Sequence, residues 1–153
     1  MRAFLGLGSN LGDRRQFLTD AVKNLPNVVA VSPLYETEPV GVSDEQDSYL
    51  NCVVEISWEK TPEELLQMCQ ELEATAGRQR HSKWEPRTLD IDILMVDSIQ
   101  MHTGVITIPH PRMFERRFVM QPLADLAPEL VPQGWERNVI GAIRPVAPLE
   151  IPY

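Results

Sequence analysis

Two aspartates one residue apart, Asp90 and Asp92, close a stretch that opens with cations. Residues 78–92 read RQRHSKWEPRTLDID, with Arg78, Arg80, Lys83 and Arg87 ahead of the carboxylates. In an extended strand successive side chains point to opposite faces, so the two aspartates share one face roughly 7 Å apart. So placed, they repel each other unless a cation neutralises them or one takes up a proton. With oxygen donors only, the matching cation is Mg2+, which binds one or two carboxylates together with substrate phosphates. The planar forks of the arginines match phosphate oxygens, so both halves of the stretch suit one polyphosphate ligand. Taken alone, Asp-x-Asp also fits a solvated strand end, and a charge run fits a wet loop. The combination favours a site, because Ile93, Leu94, Met95 and Val96 follow at once and put the carboxylates at the mouth of a core.

The flanking elements must deliver this stretch. Upstream, Thr61-Pro62-Glu63-Glu64 has a cap, a proline in the first turn and a glutamate three residues after the cap, which together start a helix. Its apolar stripe runs through Leu65, Leu66, Cys69, Leu72 and Ala76, and Gly77 ends it. Gln70 and Glu73 lie on its flank near the end that feeds the arginines; each fits a ligand contact or a solvent-facing position. Downstream, 105–108 reads as a short strand running into Pro109-His110-Pro111, where prolines restrict the backbone around a histidine that is either structural or functional. Residues 112–127 read as helical turns interrupted by Pro122, presenting Arg116, Arg117 and Phe118 together.

Earlier in the chain, 2–7 alternates as a first strand and 8–12, GSNLG, reads as a turn. Asp13 and Gln16 form a capping pair for a helix faced by Phe17, Leu18, Ala21, Val22 and Leu25. A dinucleotide fingerprint is disfavoured, because Leu11 stands where the third glycine is needed. Residues 28–35 form a β-branched second strand, 36–48 an acidic connection long enough to act as an active-site flap, and 49–58 a third strand. There Tyr49, Asn51 and Val53 point one way, and Leu50, Cys52 and Val54 the other. Asn51 needs partners for its amide, from the protein or from a ligand. The tail from Pro128 is expected to be irregular and to pack back on the domain.

The order strand, helix, strand, strand, helix, strand plus a C-terminal extension is that of an α+β, ferredoxin-like βαββαβ sheet with helices on one face. At 153 residues a single domain, 1–153, is expected, large enough to bury its own core. Cys52 and Cys69 form no CxxC or Cys/His cluster, so neither zinc nor a disulfide framework is expected; a reducing, cytoplasmic setting fits. No segment approaches membrane-spanning length, and no membrane partner is expected. The net charge of −8 argues against a nucleic-acid partner. Yet 7 of the 14 Lys and Arg lie between Arg78 and Arg117, a local basic patch that suits a small anion better than a long polymer.

Taken together, these motifs resemble the 6-hydroxymethyl-7,8-dihydropterin pyrophosphokinase family of folate biosynthesis, whose members move the terminal pyrophosphate of ATP onto a pterin alcohol. The resemblance spans nearly the whole chain. It is carried by Gly8-Ser9-Asn10, Tyr35-Glu36-Thr37-Glu38-Pro39 with Tyr49-Leu50-Asn51, Glu73 and Gly77-Arg78, Pro86-Arg87-Thr88-Leu89-Asp90-Ile91-Asp92, and Pro109-His110 with Arg116 and Phe118. It implies that Asp90 and Asp92 hold two Mg2+ ions and that Arg78 and Arg87 stabilise the transferring group. Arg80 and Trp84 would belong to a loop closing over the reactants. Gln70, Glu73, His110 and Arg116 would contact the nucleotide. Thr37, Val40, Tyr49, Asn51 and Phe118 would form the pterin pocket, with Asn51 reading the amide-like edge and aromatic faces covering the ring. The partners implied are the small molecules ATP and 6-hydroxymethyl-7,8-dihydropterin; a monomer is the default expectation.

The chain departs from the family pattern at Glu85, where a small residue is usual before the proline, and at Val105 and Pro111, where some members carry an arginine and a tyrosine. Two other classes use similar parts. A two-metal nuclease or nucleotidyl transferase would want a longer basic track for its polymer. A non-catalytic nucleotide- or RNA-binding ferredoxin-like module would want exposed aromatics on a basic sheet face.

Overall fold

The structure, a computed structural model, describes residues 1–10, 12–37, 48–77 and 89–151. The elements run β1 (Arg2–Ser9), α1 (Arg14–Asn24), β2 (Val28–Val31), β3 (Leu34–Thr37), β4 (Tyr49–Ser57), α2 (Pro62–Ala76) and β5 (Asp90–Val96). A small hairpin of β6 (Met101–His102) and β7 (Thr107–Ile108) follows, then a 3-10 turn at Met113–Glu115, α3 (Arg117–Leu126) and β8 (Ile143–Val146). The main sheet has the order β5-β1-β4-β3-β8, with β2 also paired to β4 and every one of these pairings antiparallel. This is the α+β, ferredoxin-like arrangement expected from the order of elements.

Local chemistry explains the helix boundaries. Asp13 accepts from the Gln16 amide at 3.1 Å and starts α1. The Thr61 side chain accepts from the Glu64 amide at 3.1 Å, capping α2, and its hydroxyl donates to the Glu64 carboxylate at 3.2 Å. In α2 only Leu65 and Cys69 are fully buried, the inner edge of an amphipathic stripe.

The sheet separates two packed layers. Leu5, Leu7, Cys52, Val54 and Ile56 face Leu18, Ala21 and Val22 of α1 and Leu65 and Cys69 of α2. Both helices of the βαββαβ unit therefore lie on one face. Phe4, Val53 and Leu94 face the other way, against Val119, Met120 and Leu123 of α3. Alternation along each strand produces this division, since neighbouring residues such as Val53 and Val54 fall into different layers. Burying a leucine such as Leu18 or Leu123 contributes about 1.5–3 kcal/mol.

Three sequence expectations are corrected. The β-branched run 28–35 is not one strand: it breaks at Ser32-Pro33, and β2 and β3 lie in succession along β4. Pro33 has no N–H to donate, and the Ser32 hydroxyl takes over a ladder bond by accepting from the Val53 amide at 2.8 Å. Gly8 and Ser9 are not in a turn but extend β1. The tail is not irregular throughout: β8 adds a strand beside β3, tolerating Pro145 because it lies at the sheet edge. Among the described residues no helix is long and apolar enough to cross a membrane.

Candidate active site

The site is built on a gap in the sheet. Gly6 and Gly8 of β1 lie opposite Asp92 and Asp90 of β5 on one side, and opposite Val53 and Asn51 of β4 on the other. Cross-strand partners share a face, so Asp90, Gly8, Asn51 and Tyr35 form one row across four strands. This is the face covered further along by α3. The two glycines contribute no side chains to it, and the hollow they leave is lined by Tyr49, Asn51, Asp90, Asp92, Phe118 and Val119. At Gly8 the space is needed, because a Cβ there would lie 2.9 Å from Asn51 Oδ1 and 3.4 Å from Tyr49 Cδ1.

Asn51 is 5% exposed. Its Nδ2 donates to Thr37 Oγ1 at 2.5 Å, which orients the amide and leaves Oδ1 over Gly8. From the next strand, the Tyr35 hydroxyl donates to Asp125 of α3. Burial first, then Asp125, pushes the Tyr35 hydroxyl up to about 12, so it stays a donor. Tyr35 thereby ties this face of the sheet to the helix that carries Phe118.

Charge surrounds the carboxylates. Asp92, with its side chain 46% exposed, has Arg116 Nη1 at 4.0 Å from Oδ2 and His110 Nε2 at 4.0 Å from Oδ1. At that separation they act as charge neighbours rather than hydrogen-bond partners. The Arg116 guanidinium lies over the Phe118 ring, 5.5 Å from its centre. Arg117 instead turns away to donate to the Gly141 carbonyl at 2.9 Å. The Arg112 amide donates to His110 Nδ1 at 3.2 Å, so neutral His110 carries its proton on Nε2, toward Asp92. Burial holds His110 below the usual histidine value; Asp92 opposes this and Arg116 and Arg112 reinforce it. The His110 amide donates to the Leu94 carbonyl at 2.9 Å, fixing the segment after β7 against β5.

A second cavity, a groove of about 350 Å3, follows the outer edge of β5, bounded by Leu66, Ile91, Ile93, residues 103–107, His110 and Pro111. Asp92 lines both cavities. Asp92 therefore stands where a glycine-floored hollow and an edge groove meet, with Asp90 beside it in the hollow. Glu73 Oε2 accepts from the Ile91 amide at 2.9 Å, capping an edge-strand donor between the two aspartates.

Of the residues singled out in sequence, Asp90, Asp92, Tyr49, Asn51 and Phe118 meet at the hollow, Thr37 joins through Asn51, and His110 and Arg116 flank Asp92. Glu73 touches the backbone of β5, whereas Gln70 is an exposed residue of α2 that lines neither cavity. Val105 and Pro111 border the groove. Arg78, Arg80, Trp84, Glu85, Arg87 and Val40 lie outside the described residues. The sequence reading missed the role of Gly6 and Gly8, although two glycines at alternate positions of a strand signal a bare patch on one face.

The donor chemistry fits Mg2+. Asp90 and Asp92 supply hard carboxylate oxygens on one partly solvent-open face. Among the described residues no cluster of three or more metal-binding side chains forms. Two carboxylates suit an ion that takes one or two carboxylates together with waters and substrate phosphates.

Comparison with known proteins identifies relatives of the chain. Residues 4–128 match the family described as 7,8-dihydro-6-hydroxymethylpterin-pyrophosphokinase. The chain is 44% identical over 133 residues to the 2-amino-4-hydroxy-6-hydroxymethyldihydropteridine pyrophosphokinase of Bacillus subtilis, an alignment covering 84% of this chain and 79% of that protein. It is 45% identical over 138 residues to the protein of that name from Methylorubrum extorquens, with 87% of each covered. It is 42% identical over 139 residues to the one from Pseudomonas aeruginosa, with 87% and 85% covered.

Proposed function

The chain belongs to the 7,8-dihydro-6-hydroxymethylpterin-pyrophosphokinase family, and on that premise we propose that it uses ATP as donor with two Mg2+ ions held by Asp90 and Asp92. It transfers a pyrophosphoryl group to the hydroxymethyl group of 6-hydroxymethyl-7,8-dihydropterin in folate biosynthesis. With ATP as donor, the pterin hydroxyl oxygen bonds to the β-phosphorus. The bond from that phosphorus to the α-phosphate bridging oxygen breaks, AMP leaves with the electron pair, and the hydroxyl proton is released.

The pterin is assigned to the glycine-floored hollow. A flat heterocycle with polar edges wants stacking faces and a few fixed hydrogen-bonding groups. Tyr49 and Phe118 supply the faces, and Asn51, oriented by Thr37, supplies the edge contact; Val40 is assigned to the same pocket by its place in the family pattern. The nucleotide is assigned to the edge groove, with His110 and Arg116 toward its phosphates and Gln70 and Glu73 nearby on α2. Mg2+ bound at the two aspartates supplies positive charge to the phosphates. Arg78 and Arg87 are assigned to the transferring group, and Arg80 and Trp84 to covering it. Chemistry of this kind rests on positioning and charge neutralisation more than on covalent help from the protein. The free, buried cysteines Cys52 and Cys69 support a reducing, cytoplasmic setting.

The observation that carries the reading is that Asp92 lines both cavities, so a ligand in each would meet at Asp92. The test is AMP release from Mg-ATP with and without 6-hydroxymethyl-7,8-dihydropterin, with Asp92→Ala alongside. Pterin-dependent AMP that disappears in the variant is expected. ADP as product, or AMP release indifferent to pterin, overturns the reading.

A further inference from the structure

Arg14, in the first turn of α1, reaches two acceptors, one in β3 and one just ahead of β4. Its Nη1 donates to the Ser48 carbonyl at 2.6 Å and its Nη2 to Glu36 Oε2 at 3.1 Å. Glu36 immediately precedes Thr37 in β3, and Ser48 immediately precedes Tyr49, the first residue of β4. One guanidinium thus grips both strand ends that lead to the Thr37–Asn51 hydrogen bond.

The grip is well seated. The Glu36 side chain is 13% exposed and Arg14 27%. Arg144 of β8 donates to the other oxygen of Glu36, so both carboxylate oxygens are engaged. Arg144 first and Arg14 with it hold the Glu36 carboxyl below the usual range against the opposing effect of burial. Alternation along β3 and β4 turns Glu36 and Leu50 away from the face that bears Thr37, Tyr49 and Asn51. Arg14 does not line the hollow. It acts from behind, by fixing where the two strand ends stand.

We infer that Arg14 is a positioning residue for the pterin pocket, clamping Glu36 and Ser48 so that Thr37, Tyr49 and Asn51 are held in register with the hollow. The inference rests on the assignment of those three residues to the pterin. Arg14 meets its two acceptors from two different nitrogens of a planar fork, whereas the three donors of an ammonium all sit on one nitrogen and do not reproduce that geometry. Arg14→Lys therefore keeps the charge and one partner while releasing the other.

The experiment measures KM for pterin and for ATP, kcat and thermal melting for the wild type, Arg14→Ala, Arg14→Lys and Asn51→Ala. Arg14→Ala is expected to raise the pterin KM about tenfold while the ATP KM stays within about twofold, a split that general loss of structure does not produce. Arg14→Lys is expected to melt near the wild type yet still show a raised pterin KM. Should Arg14→Ala fail to fold, Arg14→Lys carries the test. A wild-type pterin KM in Arg14→Lys, or parallel rises in both KM values, overturns the positioning role. If Asn51→Ala leaves the pterin KM unchanged, the pocket assignment fails and takes the inference with it. A raised pterin KM in Asn51→Ala beside an unchanged one in the Arg14 variants overturns the inference alone.

Discussion

Gly8 stands directly opposite Asn51 in the β1–β4 ladder, and a methyl group at Gly8 would lie 2.9 Å from Asn51 Oδ1. The amide cannot retreat freely, because its Nδ2 is bound to Thr37. Gly8→Ala is expected to cost about 1 kcal/mol of stability, the ordinary effect of one substitution. Pterin affinity should fall by a factor of roughly ten, about 1.4 kcal/mol, with nucleotide affinity unchanged. Calorimetric titration with each ligand checks this, and equal losses for both would show that Gly8 does not act through Asn51.

Asp92→Asn removes the charge that Arg116 and His110 face at 4.0 Å. A side chain 46% exposed loses little stability with its charge, about 0–1 kcal/mol, since solvent screens such pairs. Turnover should nevertheless fall by roughly 10^3-fold or more if the carboxylate holds a catalytic cation. Steady-state rates across a Mg2+ titration, read beside a melting curve, separate the two effects; a variant that retains turnover sinks the metal assignment.

The Glu36 carboxyl is held below its ordinary value of 4.5 by Arg144 and Arg14. A depressed folded-state value means that the unfolded chain takes up the proton first. The stabilisation is therefore present above about pH 4.5 and lost as pH falls through the folded-state value. Glu36→Gln should melt below the wild type at pH 7, and the gap should close in acid. A gap that is independent of pH from 7 to 3 would mean that Glu36 contributes by packing rather than by charge.

Cys52 and Cys69 are both buried and free. Burial pushes each thiol up to about 12, with Glu73 and Asp92 adding to the effect at Cys69. Only the thiolate reacts readily. A chromogenic thiol reagent at pH 8 should find neither cysteine in the folded protein and both once denaturant is added. Rapid labelling of the native protein would show that the layer between the sheet and helices α1 and α2 opens.

Much of the architecture could be read from local pattern. The Asp13–Gln16 and Thr61–Glu64 caps, the stripe of α2, and the alternation that sends Asn51 and Val53 one way and Cys52 and Val54 the other are all written within a few residues. Asp90 and Asp92 share a face for the same reason, since the strand period is two. Such features follow from the chain's own geometry, so the sequence by itself determined them.

Other features needed distant partners. Gly8 reads as part of a turn and Gly6 as an ordinary strand residue, because their joint effect appears only when β4 and β5 stand on either side and leave a bare floor between Asn51 and the aspartates. Strand β8, expected to be irregular, forms because β3 offers it a free edge. Arg144 meets Glu36 across 108 positions, and Tyr35 meets Asp125 across 90. Nothing near Arg14 announces that it will grip Glu36 and Ser48. Short-range periodicity and capping act between neighbours and leave a signature in sequence. Hydrogen bonds between side chains far apart in the chain exist only once packing has brought them together, and that is what the tertiary structure alone decided.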